Sequence, residues 1–164
     1  MKRVALFAVL VLSAVGAAAQ EEAPRKNWFN DPFFQVRDGM PACPEPRGPL
    51  LTDAEMKAES HGRIERGTSC WMAGQCAQPN AYLYDAGIAE AIRQRFAQNE
   101  AYRDASLWIS VKRRFVWVEG CVRDAKEAGA LEEMVRSLPD VERVFVDVMA
   151  GTIGKPPYPL LHAK

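Results

Sequence analysis

From Asp85 onward the apolar positions follow two alternating periods. Ile88, Ile92 and Phe96 recur at i, i+4 and i+8, the stripe of a helix that Asp85 can cap and that ends around Asn99. Leu107, Ile109 and Val111 then alternate with Trp108, Ser110 and Lys112, the period of a strand. Val116, Val118 and Val122 alternate with Trp117, Glu119 and Cys121, with Gly120 on the first face. The link through Arg113-Arg114 is short enough for a hairpin. Asp124-Ala125-Lys126-Glu127 opens a second helix bearing Ala128, Leu131, Val135 and Leu138, which Pro139 stops. Val144 to Val148 alternates once more. The order helix, strand, strand, helix, strand predicts a small α+β sandwich, a three-stranded sheet with two helices on one face.

The residues before this unit read differently. Residues 20–84 form a Pro-rich, Cys-containing extension, in which Pro32, Pro41, Pro44, Pro46 and Pro49 forbid long regular structure. Trp28, Phe29, Phe33 and Phe34 are too apolar to leave in water, so this segment is expected to dock. Thr52-Asp53-Ala54-Glu55 matches a capping box and predicts a helix to about Arg66, stopped by Gly67. Residues 68–84 read as a loop, and residues 151–164 as a flexible tail.

Residues 1–19 have the anatomy of a cleaved signal peptide. Lys2 and Arg3 precede an apolar run from Val4 to Val15, and Ala17-Ala18-Ala19 supplies the small-residue exit before Gln20. That run is shorter than the roughly 20 apolar residues of a bilayer-spanning helix. No Cys follows the Ala-Ala-Ala site to carry a lipid anchor.

Charge and cysteines narrow the function. The chain balances 21 basic against 21 acidic residues, and losing Lys2 and Arg3 leaves it slightly acidic. It lacks the broad positive field that drives nucleic-acid binding, so any anion binding comes from a local patch. Four cysteines, Cys43, Cys70, Cys76 and Cys121, in an exported chain read as two disulfides. Their spacings do not resemble paired zinc ligands, nor the Cys-x-x-Cys of a thiol oxidoreductase.

Candidate chemistry is sparse. Lys112, Arg113 and Arg114, with Arg123 and Lys126, form an expected basic cluster at one hairpin end, suited to a lipid phosphate through guanidinium forks; a solvated turn is the competing reading. The sheet face opposite the helices presents Trp108, Trp117, Cys121 and Phe145, either a binding face or a face covered by residues 20–84. His61 lies among Glu55, Glu59 and Glu65 on a polar helix and reads as solvent-facing. Two histidines in the whole chain give no nucleophile–base pair, and Gly151-Thr152-Ile153-Gly154-Lys155 lacks phosphate-loop spacing. No catalytic residue, metal site or cofactor is expected.

Residues 85–150 resemble a BON domain, the family named from bacterial osmotic-shock and nodulation proteins. The resemblance rests on the Asp85-led helix with Ile88 and Ile92, on Ile109-Ser110-Val111, on Val116-Trp117-Val118-Glu119-Gly120-Cys121-Val122, on the Leu131–Val135 helix, and on Leu138-Pro139-Asp140-Val141-Glu142-Arg143-Val144. Two departures stand out. Such domains often carry Asn-Gly or Asp-Gly at the hairpin, where this chain has Arg113-Arg114; arginine disfavours positive φ, so another or wider turn is expected. Asp140-Val141 replaces a common Gly-Val, a change that left-handed geometry at Asp tolerates. The resemblance implies a periplasmic, non-enzymatic module that binds phospholipid or another envelope component and serves envelope integrity or osmotic stress. The alternative is a protein–protein adaptor in an envelope assembly.

Three disulfide pairings exist. Cys70–Cys76 with Cys43–Cys121 is the expected one. The first closes a short loop through Ala73-Gly74; the second pins the extension over Trp108, Trp117 and Phe145. Cys43–Cys70 with Cys76–Cys121 remains the main alternative.

Overall fold

The computed structural model describes residues 23–162. Residues 1–19, expected from the sequence to be a signal peptide, lie outside them. Seven elements follow in order: β1 (Phe33–Asp38), α1 (Asp53–Met72), α2 (Asp85–Ala97), β2 (Ser106–Lys112), β3 (Phe115–Val122), α3 (Glu127–Arg136) and β4 (Arg143–Ala150). The architecture is α+β, with one sheet of order β1-β2-β3-β4. The β1–β2 and β2–β3 pairs are antiparallel and β3–β4 is parallel. The core is the helix-facing side: Leu107, Ile109, Val111, Val116, Val118, Val122 and Val144 pack with Ile88, Ile92 and Phe96 of α2 and Leu131 and Val135 of α3.

The sheet has four strands where three were expected. Phe33–Asp38 joins the β2 edge because its aromatics have a place to go: Phe34 and Val36 pack on the core, and the ladder pairs Phe34 with Ile109. Arg37 fixes the strand from its other end. Its guanidinium donates to the carbonyls of Phe96 and Asn99, the latter at 2.6 Å, at the C-terminal end of α2. A cation there meets the negative pole of the helix.

Helix α1 opens with the expected capping box. Thr52 Oγ1 accepts from Glu55 N–H, and the Glu55 carboxylate accepts from Thr52 N–H at 2.8 Å. The helix does not stop at Gly67. It continues to Met72, so Cys70 and Trp71 stand on helix rather than loop. Gly67 is there for packing: a Cβ at that position would come within 2.8 Å of Asn80 Oδ1. Arg63 fastens this helix to the extension. It makes two bonds to Asp31, at 2.7 and 2.8 Å, and lies between the rings of Phe29 and Tyr82.

The hairpin turn also differs from expectation. Arg113 and Arg114 both take positive φ, +56° and +65°, the geometry of a tight two-residue turn. Asp85 explains how arginine is held there. It is not the cap of α2 but its first residue, and its buried carboxylate accepts from the N–H groups of Arg113 and Arg114 at 2.8 and 2.7 Å. Asp140 takes the left-handed conformation, φ +63°. Gly120 is required where β3 passes β2, because a Cβ there would lie 2.1 Å from the Ser106 carbonyl oxygen.

The outer sheet face is half covered. Cys43 bonds to Cys121 (S–S 2.02 Å), and Met40, Trp108 and Met149 close around them. Cys70 bonds to Cys76. The C-terminal segment is no free tail. Tyr158 is buried and donates to the Pro44 carbonyl at 2.8 Å, and backbone bonds join Arg47 to Pro159 and Leu161 to Glu45. Prolines excluded a period there, but they did not exclude docking on another Pro-rich segment, through an isolated bridge between Pro46 and Leu160.

Candidate functional site, a pocket of guanidinium groups

The hairpin end of the sheet carries Lys112, Arg113 and Arg114. The Asp85 bonds hold their backbone, which leaves the side chains free to spread. Arg113 lies over the Phe115 ring at 4.4 Å and Arg114 over Tyr84 at 5.0 Å. Arg114 Nε donates to the Asp140 carbonyl at 2.8 Å, and its terminal nitrogen is 3.9 Å from Glu142. Lys112 is turned aside, with Nζ 3.1 Å from Glu59 and over the Trp117 ring.

The sequence-predicted cluster divides. Arg113 and Arg114 face one pocket together. Arg123 and Lys126 do not join them, because they follow the far end of β3, whose eight residues carry the chain on the order of 25 Å along the sheet. Arg123 instead pairs with Asp104 at 3.1 Å. The third cation of the site is Arg66, from α1. It lines the same open pocket of about 500 Å³ with Arg113 and Arg114, beside Ser69, Cys70 and Gln75. Glu142 is the one carboxylate among the lining residues. Neither Arg66 nor Arg113 forms an ion pair among the described residues. The Cys70–Cys76 disulfide closes the loop that carries Gln75, which fixes that wall. Sequence reasoning missed Arg66 because it sits on a polar helix in the extension, far from the hairpin in sequence. No local signal marks it.

Around the corner, on the outer sheet face, Phe115, Trp117 and Phe145 form an aromatic ladder. Trp117 and Phe145 stack with centroids 5.2 Å apart, and Arg143 lies over Phe115 and Phe145. A separate apolar stripe runs along α1 at Ile64, Trp71 and Met72, all exposed. At 100° per residue, Ile64 and Trp71 lie on the flank away from Arg66, Ser69 and Ala73, with Met72 between the two sides. His61 is exposed and lies 3.4 Å from Glu65.

The α+β sandwich thus carries an open pocket lined by three arginines, from α1 and from the β2–β3 turn. Residues 84–150 match the family model for the BON domain, so the chain carries a single BON domain, a member of a family of non-catalytic binding modules. No curated protein and no solved structure matches the chain significantly. Such domains are associated with envelope and osmotic-stress proteins and with phospholipid binding.

Proposed function

We propose that the protein is a periplasmic, non-enzymatic module, exported by its first 19 residues, that docks on phosphate-bearing lipid surfaces through Arg66, Arg113 and Arg114. The observation that carries this reading is the convergence of three guanidinium groups from two distant segments on one open pocket. Planar guanidinium forks suit the tetrahedral oxygens of a phosphodiester, and two of the three have no carboxylate to satisfy them. The setting agrees: a BON domain, and two disulfides that belong to an oxidising compartment.

Liposome co-sedimentation tests it. Arg66→Glu, which leaves the hairpin untouched, lowers affinity for anionic vesicles by about tenfold or more, as does Arg113→Glu/Arg114→Glu. Salt weakens the wild type, since exposed charges are screened over about 8–10 Å at 0.1–0.15 M. Arg123→Glu, at the opposite end of the sheet, leaves binding intact. Equal binding by wild type and Arg66→Glu refutes the assignment.

A second reading is supported by a different surface. Ile64 and Trp71 expose an apolar stripe on the far flank of α1, with exposed Met72 beside it, which suits a protein partner in an envelope assembly. Photo-crosslinking from position 72 in intact cells discriminates: a discrete protein adduct favours the adaptor, and lipid adducts alone favour the membrane surface.

A further inference from the structure

The outer face of the sheet holds a second pocket whose chemistry is opposite to the first. Trp117 and Glu119 stand two apart on β3, and the ladder places Ser110 beside Trp117 and Asp147 beside Glu119. These four side chains line a cavity of about 220 Å³, roofed by Pro49 and Pro159. It is smaller than the roughly 300–1,000 Å³ that holds a drug-sized molecule.

Two of its polar residues are buried, Asp147 is half-buried, and one polar atom is unsatisfied. Ser110 is 7% exposed, and its hydroxyl has no hydrogen-bond partner among the described residues. Glu119 is also 7% exposed, and its carboxylate makes neither hydrogen bond nor ion pair there. The nearby cations are turned to other carboxylates, Arg47 toward Glu55 at 3.8 Å and Lys112 toward Glu59 at 3.1 Å. Two adjacent acids whose nearest cations serve other carboxylates, with Arg47 acting on Glu119 only at a distance, are costly to maintain beside an orphaned hydroxyl.

We propose that this pocket binds a primary ammonium group carried on a short aliphatic chain. The three N–H donors of an ammonium match three acceptors, the Glu119 and Asp147 carboxylates and Ser110 Oγ. The Trp117 ring, which already carries Lys112 Nζ at 5.6 Å and stacks on Phe145, supplies an apolar wall that packs the methylenes. The site is independent of the arginine pocket, which lies beyond the hairpin and takes anions.

Binding is coupled to pH. Burial first, and the Asp147 charge second, push the Glu119 carboxyl up to about 7, with Arg47 offsetting part of this. Tyr158 of the C-terminal segment is pushed up to about 12 by burial and by the Glu119 charge, and so stays neutral. An ammonium therefore requires Glu119 to lose its proton, and affinity rises with pH through neutrality.

The experiment is an amide and indole NMR titration of the disulfide-intact protein with 1,4-diaminobutane, at pH 5.5 and pH 8. Saturable shifts at Trp117, Ser110 and Gly48 are expected, with affinity about tenfold or more higher at pH 8. Neutral 1,4-butanediol produces no such shifts, and tetramethylammonium, which has charge but no N–H, binds at least about tenfold more weakly. Glu119→Gln and Asp147→Asn abolish the response while their spectra remain those of the folded protein. Arg113→Glu/Arg114→Glu retains it, so failure of the lipid-phosphate reading leaves this site standing. Vesicles containing ethanolamine lipid complete the set: displacement of the diamine assigns the ammonium to a lipid headgroup, and bound diamine that vesicles do not displace assigns it to a free amine. Shifts equal for diamine and diol, unchanged binding by Glu119→Gln, or no saturable shift overturns the proposal.

Discussion

Asp85 joins two elements with one carboxylate. It starts α2, and it pays for an arginine pair in left-handed backbone by accepting both of their N–H groups. Burial raises its carboxyl to about 6, with the two backbone N–H bonds opposing that rise. At pH 7.5 it is ionised and accepts at both oxygens. In Asp85→Asn one accepting oxygen becomes an NH₂ that faces a backbone N–H, so the turn loses a partner it cannot replace. The expected cost is about 1–3 kcal/mol. Urea denaturation at pH 7.5 should show a lower midpoint with an unchanged slope, and a midpoint equal to wild type would contradict this role. The arginine pocket depends on the same bonds, because they aim Arg113 and Arg114.

Among the elements, the extension is the part whose stability rests on covalent help. Strand β1 is only six residues long and sits at a sheet edge, held by Phe34, Val36 and the Arg37 bonds to the end of α2. The next stretch, through Cys43 and Pro46, lies on the outer face. There Cys43–Cys121 closes 78 residues of sequence separation. In the chain-entropy account a loop of that length stabilises by about 4–5 kcal/mol. Reduction, or Cys43→Ala/Cys121→Ala, should therefore loosen residues 23–50 first and expose Trp108, while the core of β2, β3, β4, α2 and α3 persists. Hydrogen exchange read by mass spectrometry checks this: rapid exchange confined to the extension is expected, and uniform acceleration across the whole chain would contradict it.

At the scale of the molecule, two buried acids set the response to pH. Glu119 and Asp85 both have folded-state values above their unfolded ones, about 7 against 4.5 and about 6 against 3.8. Between those limits the folded state holds protons that the unfolded chain releases. Stability then falls as pH rises from about 4 to about 7. Glu55, whose carboxylate is lowered by the Thr52 backbone N–H, contributes in the opposite sense and loses its stabilisation as pH falls through its folded value. Glu119→Gln removes the upper part of the slope. Its melting temperature should match wild type near pH 5 and exceed it at pH 8, and parallel profiles for the two proteins would refute the burial of that charge. The proposed export has its own test: N-terminal sequencing of envelope material should begin at Gln20, because Ala17 and Ala19 occupy the −3 and −1 positions, and recovery of Met1 would contradict it.

Local periodicity carries the central part of this fold. The stripes Ile88-Ile92-Phe96 and Leu131-Val135 and the alternation in β2, β3 and β4 are set by which residues avoid water, and that preference acts over a few positions at a time. The capping box at Thr52 and the secretory anatomy of the first 19 residues are equally local. What only tertiary structure decided involves partners distant in the chain. Phe33–Asp38 became a fourth strand because the β2 edge was open to it. Gly67 stayed inside α1 because Asn80 packs against it, and Arg113-Arg114 entered positive φ because Asp85 was in reach. The C-terminal residues docked on the Pro-rich segment near Cys43. Both candidate sites belong to this second group. Arg66 joins Arg113 and Arg114, and Ser110 joins Glu119 and Asp147, only through packing and strand register, because a binding pocket is assembled from residues that the chain itself keeps far apart.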